Sequence, residues 1–311
     1  MSAPFGTTAT INPSAKSNNI YLITAWCIVA VVIALRLFHF IDNRSLWEDE
    51  IYLSAGIVHM NFHELLAQPL PYLQKAPIGY LLITRLLVQV FGNNEMALRL
   101  YPLVTSTSAL ILFIPVARYY LKPLGAVVAL ALLALAPPLV YHSVEAKPYG
   151  TELFATVLVL WLYIRYQHAT RLAPLFMWGV YGAILMWFVY TGIFVQAAVA
   201  LVVIVKYLKQ KDWKIVFRLM VPFGMWVVSF GASYLLYAKQ GSDSGWLVDF
   251  WEKHDGYIPL SPVAGITWII HRVFSFFHYP LGLSWKNDWS EHGVFKQILQ
   301  RMAFIPIIFT L

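Results

Sequence analysis

A single cysteine, Cys27, stands in this 311-residue chain, and charge is scarce: only 12% of residues are Asp, Glu, Lys or Arg. One cysteine excludes an intrachain disulfide and a cysteine-based zinc site. Its place inside an apolar run reads as a small buried hydrophobe. A soluble domain carries roughly 25% charged residues. A chain this poor in charge, 59% hydrophobic and with a mean hydropathy of +0.65, is a polytopic membrane protein. It has no internal repeat, no low-complexity tract and no nucleic-acid motif. The formal net charge of +7 comes from basic residues between apolar runs, as in cytoplasmic loops, and not from a nucleic-acid-binding stripe.

What is present is a series of apolar runs. A short polar tail at 1–19 precedes seven clear spans, about 20–41, 97–121, 124–141, 149–166, 173–190, 191–207 and 216–238. The first is too long for a signal-peptide core and lacks a small-residue cleavage pattern, so it reads as an uncleaved span. A last apolar run from about 298 to Leu311 is shorter than the roughly 20 residues a crossing needs, so the expectation is that the native protein continues beyond Leu311 or that this is a truncated product. Three basic clusters set the orientation: Arg118 with Lys122, Arg165 with Arg171, and Lys206, Lys209, Lys211, Lys214 and Arg218. Placing all three in the cytoplasm satisfies the positive-inside rule. The N-terminus is then cytoplasmic, and 42–96, 142–148 and 239 onward lie on the outer face.

The apolar run 78–91 is too short for a span and reads as an interfacial helix on that face. The run 263–283, interrupted by His271 and Arg272, reads as a second one, and 239–262 reads as a loop from its Gly, Ser and Asp content. The expected fold is an all-α transmembrane bundle. Its single membrane domain, 20–311, carries outer loops 42–96 and 239–297.

Ionisable side chains beside a bilayer point to function unless they cap or pair. The run Ser45-Leu46-Trp47-Glu48-Asp49-Glu50-Ile51-Tyr52 holds three acids. Ser45-x-x-Glu48 matches a capping box, which makes Glu48 structural. Trp47, Ile51, Ala55 and Val58 fall on one helical stripe suited to the interface. At about 100° per residue, Asp49 projects away from that stripe, and Glu50 lies to one side. Lys75-Ala76-Pro77 and Lys147-Pro148 place a lysine before each of two helices. A cation at a helix start is mildly unfavourable alone, so the two lysines point to anion sites. Glu145, Tyr141 and His142 share the short loop with Lys147, and Arg99 opens the second span. His271, His278 and His292 lack the tight spacing of a metal site. Trp246, Trp251 and Tyr257 surround Asp249, Glu252 and Asp255, a pattern that suits sugar contact or interface anchoring alike.

These segments resemble the GT-C superfamily of glycosyltransferases, in the branch of protein O-mannosyltransferases and the lipid A aminoarabinose transferase. WEDEIYLSAG looks like its Asp-Glu motif, KAPIGYLLI like its Lys-Pro-Pro segment, FGNNEMALRLYP like its stretch before the second span, and YHSVEAKPYG like its Tyr-Ser-x-Glu-Ala-Arg-Pro-Tyr loop. The match covers roughly residues 20–170. Ala76 stands where the pattern has proline and Lys147 where it has arginine, which removes a planar fork for phosphate but keeps the charge.

The resemblance implies an inverting transferase that moves a sugar from a polyprenyl-phosphate donor to an acceptor hydroxyl at the outer face. The acceptor would be a lipid, a glycan or a protein. Asp49 would be the general base, with Glu50 and Glu145 as further catalytic acids. Lys75, Lys147 and Arg99 would bind the donor phosphate, and Tyr52, His142 and Tyr149 would touch substrate. No cofactor is expected: an acidic pair could hold a divalent cation, but a lipid monophosphate donor does not demand one. Without eukaryotic sorting signals, the expected location is a bacterial inner membrane. Two rival readings are a lipid-linked glycan transporter or flippase, which would need ionisable groups near mid-membrane, and an inactive assembly subunit that kept the fold.

Overall fold

The computed structural model describes residues 15–238 and 245–278. Every regular element among them is helical, with no strand. In chain order the α-helices are α1 (Ala15–Asp42), α2 (Glu48–His59), α3 (Phe62–Ala67), α4 (Ile78–Phe91), α5 (Glu95–Tyr120), α6 (Pro123–Leu135) and α7 (Pro137–Tyr141). They continue with α8 (Tyr149–Tyr166), α9 (Leu172–Leu185), α10 (Gly192–Lys209), α11 (Trp213–Ser233), α12 (Trp246–Lys253) and α13 (Pro262–His278).

Four of these are long and apolar enough to cross a membrane: α1, α5, α10 and α11, the last continued by a π-helical turn. The expectation of seven full-length spans is therefore corrected. Pro137 and Pro138 break the 124–141 run at Ala136, and the two pieces meet at 57°, because proline removes a helix donor and crowds the preceding turn. Helix α8 has the expected 149–166 bounds, but Glu152 and Arg165 lower its hydropathy. Helix α9 has 14 residues, about 21 Å, and stops at Leu185 because 186–191 is drawn into a turn that other elements hold.

Side-chain contacts gather the loops into two groups, one at each end of the bundle. At one end the three basic clusters meet. Gln167 Nε2 donates to Tyr119 Oη at 2.7 Å, Lys206 Nζ lies 3.3 Å from His168 Nδ1, and Arg218 Nη1 donates to the Thr170 carbonyl at 2.6 Å. At the other end sit α2, α3, α4 and the 142–148 loop. The apolar interior divides accordingly. One cluster joins α8 to α11 around Trp178, one joins α1, α5 and α6, and a third packs Leu53 and Ile57 of α2 against Tyr80 and Leu81 of α4 and Ala97 and Leu98 of α5. The third cluster is the platform that carries the polar residues below.

Other expectations shift. Helix α4 has the bounds the apolar run marks, closed by Gly92 at φ +90°. The 239–262 stretch holds a helix, α12, in place of a continuous loop. Helix α13 carries the 263–283 run as far as His278. Residues 1–14, 239–244, 279–283, His292 and the run from 298 lie outside the described residues. Cys27 is exposed on α1 and not buried: Ala25 and Val29 take the inward face, and a helix turns about 100° per residue.

Candidate functional site

Helix α2 starts at Glu48, and its N-cap is Trp47. The Ser45–Glu48 capping box is thus replaced. The acid that reaches back is Glu50, whose Oε2 accepts from Trp47 N at 3.3 Å. The reason lies across the interface. Glu50 is fully buried and meets Arg99 edge-on, Nε to Oε1 and Nη2 to Oε2, both at 3.2 Å. Arg44 Nη1 stands 3.2 Å from Oε2, and Ala146 N donates to Oε1 at 2.8 Å. A bidentate guanidinium with backbone donors is a strong arrangement for a buried carboxylate. Glu48 is left at the surface, accepting from the Tyr52 hydroxyl.

Glu145 has the same character. It is buried, and its oxygens accept from Trp47 Nε1 at 2.7 Å and pair with His142 Nδ1. Glu50 and Glu145 therefore fasten the 142–148 loop onto the start of α2. Both were expected as catalytic acids; the structure places them in the buried frame, engaged by these partners. Arg99, expected at the donor phosphate, is also buried, and its donors go to Glu50, to Asn43 Oδ1 at 3.4 Å and to the Arg44 carbonyl at 2.6 Å.

The group left at the surface of this frame is Asp49. Its side chain is 35% exposed, and Oδ2 lies 2.8 Å from Lys147 Nζ, a lysine only 7% exposed. Gln74 closes the triangle: Nε2 donates to Asp49 Oδ1 at 3.3 Å, and Oε1 accepts from Lys147 Nζ at 2.9 Å. The amide can sit only this way round, because an ammonium donates and a carboxylate accepts. Two residues expected to act together, 98 positions apart in the chain, thus touch. Lys75 adjoins the bridge in sequence. It is exposed, and with Gln74, Tyr190 and Tyr237 it lines a cavity of about 40 Å³.

A clamp fixes the start of α4, although its proline serves as N-cap and not as the first helical residue. Glu152 accepts from Tyr190 N at 2.9 Å and from the Thr191 hydroxyl, Tyr190 Oη donates to the Ala76 carbonyl at 2.9 Å, and Gly79 N donates to the Trp187 carbonyl at 2.8 Å. The approach to Gln74 is strained: Tyr72 and Leu73 take φ of 55° and 54°, a region non-glycine residues enter at a cost of about 1–3 kcal/mol each. Tyr72 stacks on Tyr52, centroids 4.9 Å apart. The Tyr52 phenol has its pKa raised, chiefly by its hydrogen bond to Glu48, so it serves as a donor and not as a base. His142 packs against Tyr149 at 4.7 Å.

Gln74, Arg44 and Trp47 are site residues the sequence reading missed. Trp47 and Arg44 flank the acids, which is a signal; Gln74 carries none beyond its place beside Lys75. Among the described residues no cluster of three or more His, Cys, Asp or Glu side chains could hold a metal ion. Comparison with protein-family models, characterised proteins and solved structures found no match.

Proposed function

We propose that this chain is a membrane glycosyltransferase of the GT-C type, moving a sugar from a polyprenyl-phosphate donor to an acceptor hydroxyl at the outer membrane face, with inversion. The observation that carries the reading is the Asp49–Lys147–Gln74 triangle, half open to solvent on a buried, rigid frame. The Lys147 ammonium is almost fully enclosed while Asp49 is about one-third exposed, and taking an ammonium out of water costs several kcal/mol that such a pair repays only in part. A pair built from two loops beside a strained turn is better explained by chemistry than by folding.

The chemistry follows from the contacts. Asp49 takes the proton of the acceptor hydroxyl as its oxygen attacks the anomeric carbon. The bond to the lipid phosphate breaks, and the phosphate leaves with an added negative charge. Lys147, with Lys75 next in sequence to its partner Gln74, stabilises that charge, as preorganised cations do for a developing anion. Lys147 is bound to Asp49 at rest, so an arriving phosphate competes with Asp49 for the ammonium. Donor binding then draws Lys147 away and frees the base. Gln74 follows either partner because it offers both a donor and an acceptor.

The test is transfer from a radiolabelled polyprenyl-phosphate sugar in membranes. Asp49→Asn should lose transfer, and undiminished transfer would remove Asp49 from the base role. Lys147→Ala and Lys75→Ala should each weaken use of the donor more than use of the acceptor. Transfer should persist in EDTA; loss in EDTA with recovery in manganese would contradict the metal-independent scheme.

A further inference from the structure

The segments that carry the two lysines are joined twice. The first joint is the Gln74 bridge, whose Oε1 accepts from Lys147 Nζ at 2.9 Å. The second runs through the turn that follows α9. The Glu152 amide donates to the carbonyl of Pro148, the residue after Lys147, at 2.9 Å. The Glu152 carboxylate accepts from Tyr190 N at 2.9 Å, and Tyr190 Oη donates to the carbonyl of Ala76, the residue after Lys75, at 2.9 Å. Gln74, Lys75 and Ala76 are consecutive, so the two joints close a ring. Lys147 and Pro148 form one side of it, Gln74 to Ala76 the other, and Glu152 with Tyr190 the back.

Local chemistry makes the Tyr190 link matter. The first carbonyl that α4 itself uses is that of Pro77, which accepts from Leu81 N at 3.1 Å. The buried Ala76 carbonyl lies one residue outside the helix, and Tyr190 supplies its donor. Ala76 precedes a proline, which holds it to extended backbone. Lys75 is therefore an exposed side chain on a backbone fixed from behind. Gly79 N, bonded to the Trp187 carbonyl at 2.8 Å, keeps α4 seated even without the Tyr190 hydroxyl. Tyr190, Gln74 and Lys75 share the cavity of about 40 Å³, a volume that suits water and not a sugar ring.

We propose that Tyr190 is a positioning residue for the donor phosphate: through Ala76 it fixes the backbone from which Lys75 projects, in register with Lys147. The inference rests on the reading of Lys75 and Lys147 as the phosphate-binding pair. A cation already held in place spares the donor the cost of ordering it. Loss of the Tyr190 hydroxyl leaves both ammonium groups present but frees one side of the ring. The penalty falls on donor binding and not on proton removal at Asp49.

The experiment combines transfer kinetics with binding of sugar-free polyprenyl phosphate to the purified protein. Tyr190→Phe should raise the donor KM and the Kd for polyprenyl phosphate by about three- to tenfold, the span of one hydrogen bond. The kcat at saturating donor and the acceptor KM should stay at wild type. On a Lys75→Ala background the same change should add nothing, because the amine it positions is gone. Glu152→Gln, which takes the charge from the preceding link, should raise the donor KM too and decides the matter if Tyr190→Phe does not fold. A lower melting temperature with unchanged KM and Kd would make the ring merely structural, and full additivity with Lys75→Ala would place the action of Tyr190 elsewhere; either overturns the inference. Wild-type protein that neither transfers from nor binds polyprenyl phosphate would sink the donor reading itself, whereas binding and transfer that ignore Tyr190 would sink this inference alone.

Discussion

The two ends of the bundle use their ionisable side chains differently. At the basic end, Arg118 and Arg218 donate to the carbonyls of Leu121 and Thr170, and Lys206 meets His168 and the Tyr207 ring, all from half-buried positions and with no acid as partner. At the opposite end, charges meet charges: all four ion pairs among the described residues join Asp49, Glu50 and Glu145 to Arg44, Arg99, His142 and Lys147. Solvated cations orient a chain in a bilayer and need no fixed geometry. Enclosed, bidentate pairs fix geometry at the expense of desolvation. One end therefore reads as address and the other as machinery, and within the machinery the two neighbouring acids divide the work. Glu50 builds the frame, and Asp49 stands on it.

The largest effect should come from breaking that frame. Glu50→Ala leaves Arg99 buried and uncompensated, at about 3–5 kcal/mol, and it unfastens the 142–148 loop. Thermal unfolding in detergent should fall steeply. A melting temperature close to wild type would show that the pair is not what seats α2. The neighbouring change should do the reverse. Asp49→Asn should lower unfolding far less, since the amide oxygen and Gln74 Oε1 still accept from the Lys147 ammonium, while transfer falls by about 10²- to 10⁴-fold, the usual range for a general base. If both variants lose stability and activity together, the division of labour between positions 49 and 50 is wrong.

How far the sequence carried this picture depends on which forces set each feature. Helix α4 was legible to the residue, because an apolar run sits between Pro77 and Gly92 and local chemistry ends it at both sides. The start of α2 was misread because Ser45-x-x-Glu48 satisfies a local rule while Glu50 answers to Arg99, 49 residues away. The early end of α9 was hidden for the same reason: 186–191 is apolar in sequence and is turned by Glu152 and Gly79, which lie elsewhere in the chain. The meeting of Asp49 with Lys147 followed from sidedness and charge. Gln74 did not, since nothing in an isolated glutamine says that it will bridge an ion pair.

A smaller effect tests how the loop is held at its far side. Helix α8 begins so close to α5 that a Cβ at Gly150 would lie 2.5 Å from the Pro102 carbonyl oxygen, a backbone atom that cannot swing aside. Gly150→Ala should cost about 1–3 kcal/mol, as overpacking does, and should shift Lys147, three residues earlier, away from Asp49. Transfer should drop with the donor KM rising; an unchanged KM would mean that the loop moves without disturbing the ammonium.

The smallest effect belongs at the basic end, and it sharpens the comparison because the same kind of group is removed there. Arg218 makes a 2.6 Å hydrogen bond to the Thr170 carbonyl, shorter than any of Arg99's contacts to Glu50. If short polar contacts set stability, Arg218→Ala would rival the loss at Glu50. It should not: the contact is open to solvent, so water replaces the guanidinium at the carbonyl and the net loss is about 1 kcal/mol, and transfer by correctly inserted protein should be unchanged. What Arg218→Ala should alter, in combination with Lys206→Ala and Lys209→Ala, is the fraction of chains inserted the right way round, read by reactivity of a cysteine placed at position 211 in a Cys27→Ser background. A fall in unfolding temperature as large as that of Glu50→Ala would show that the basic end is machinery too.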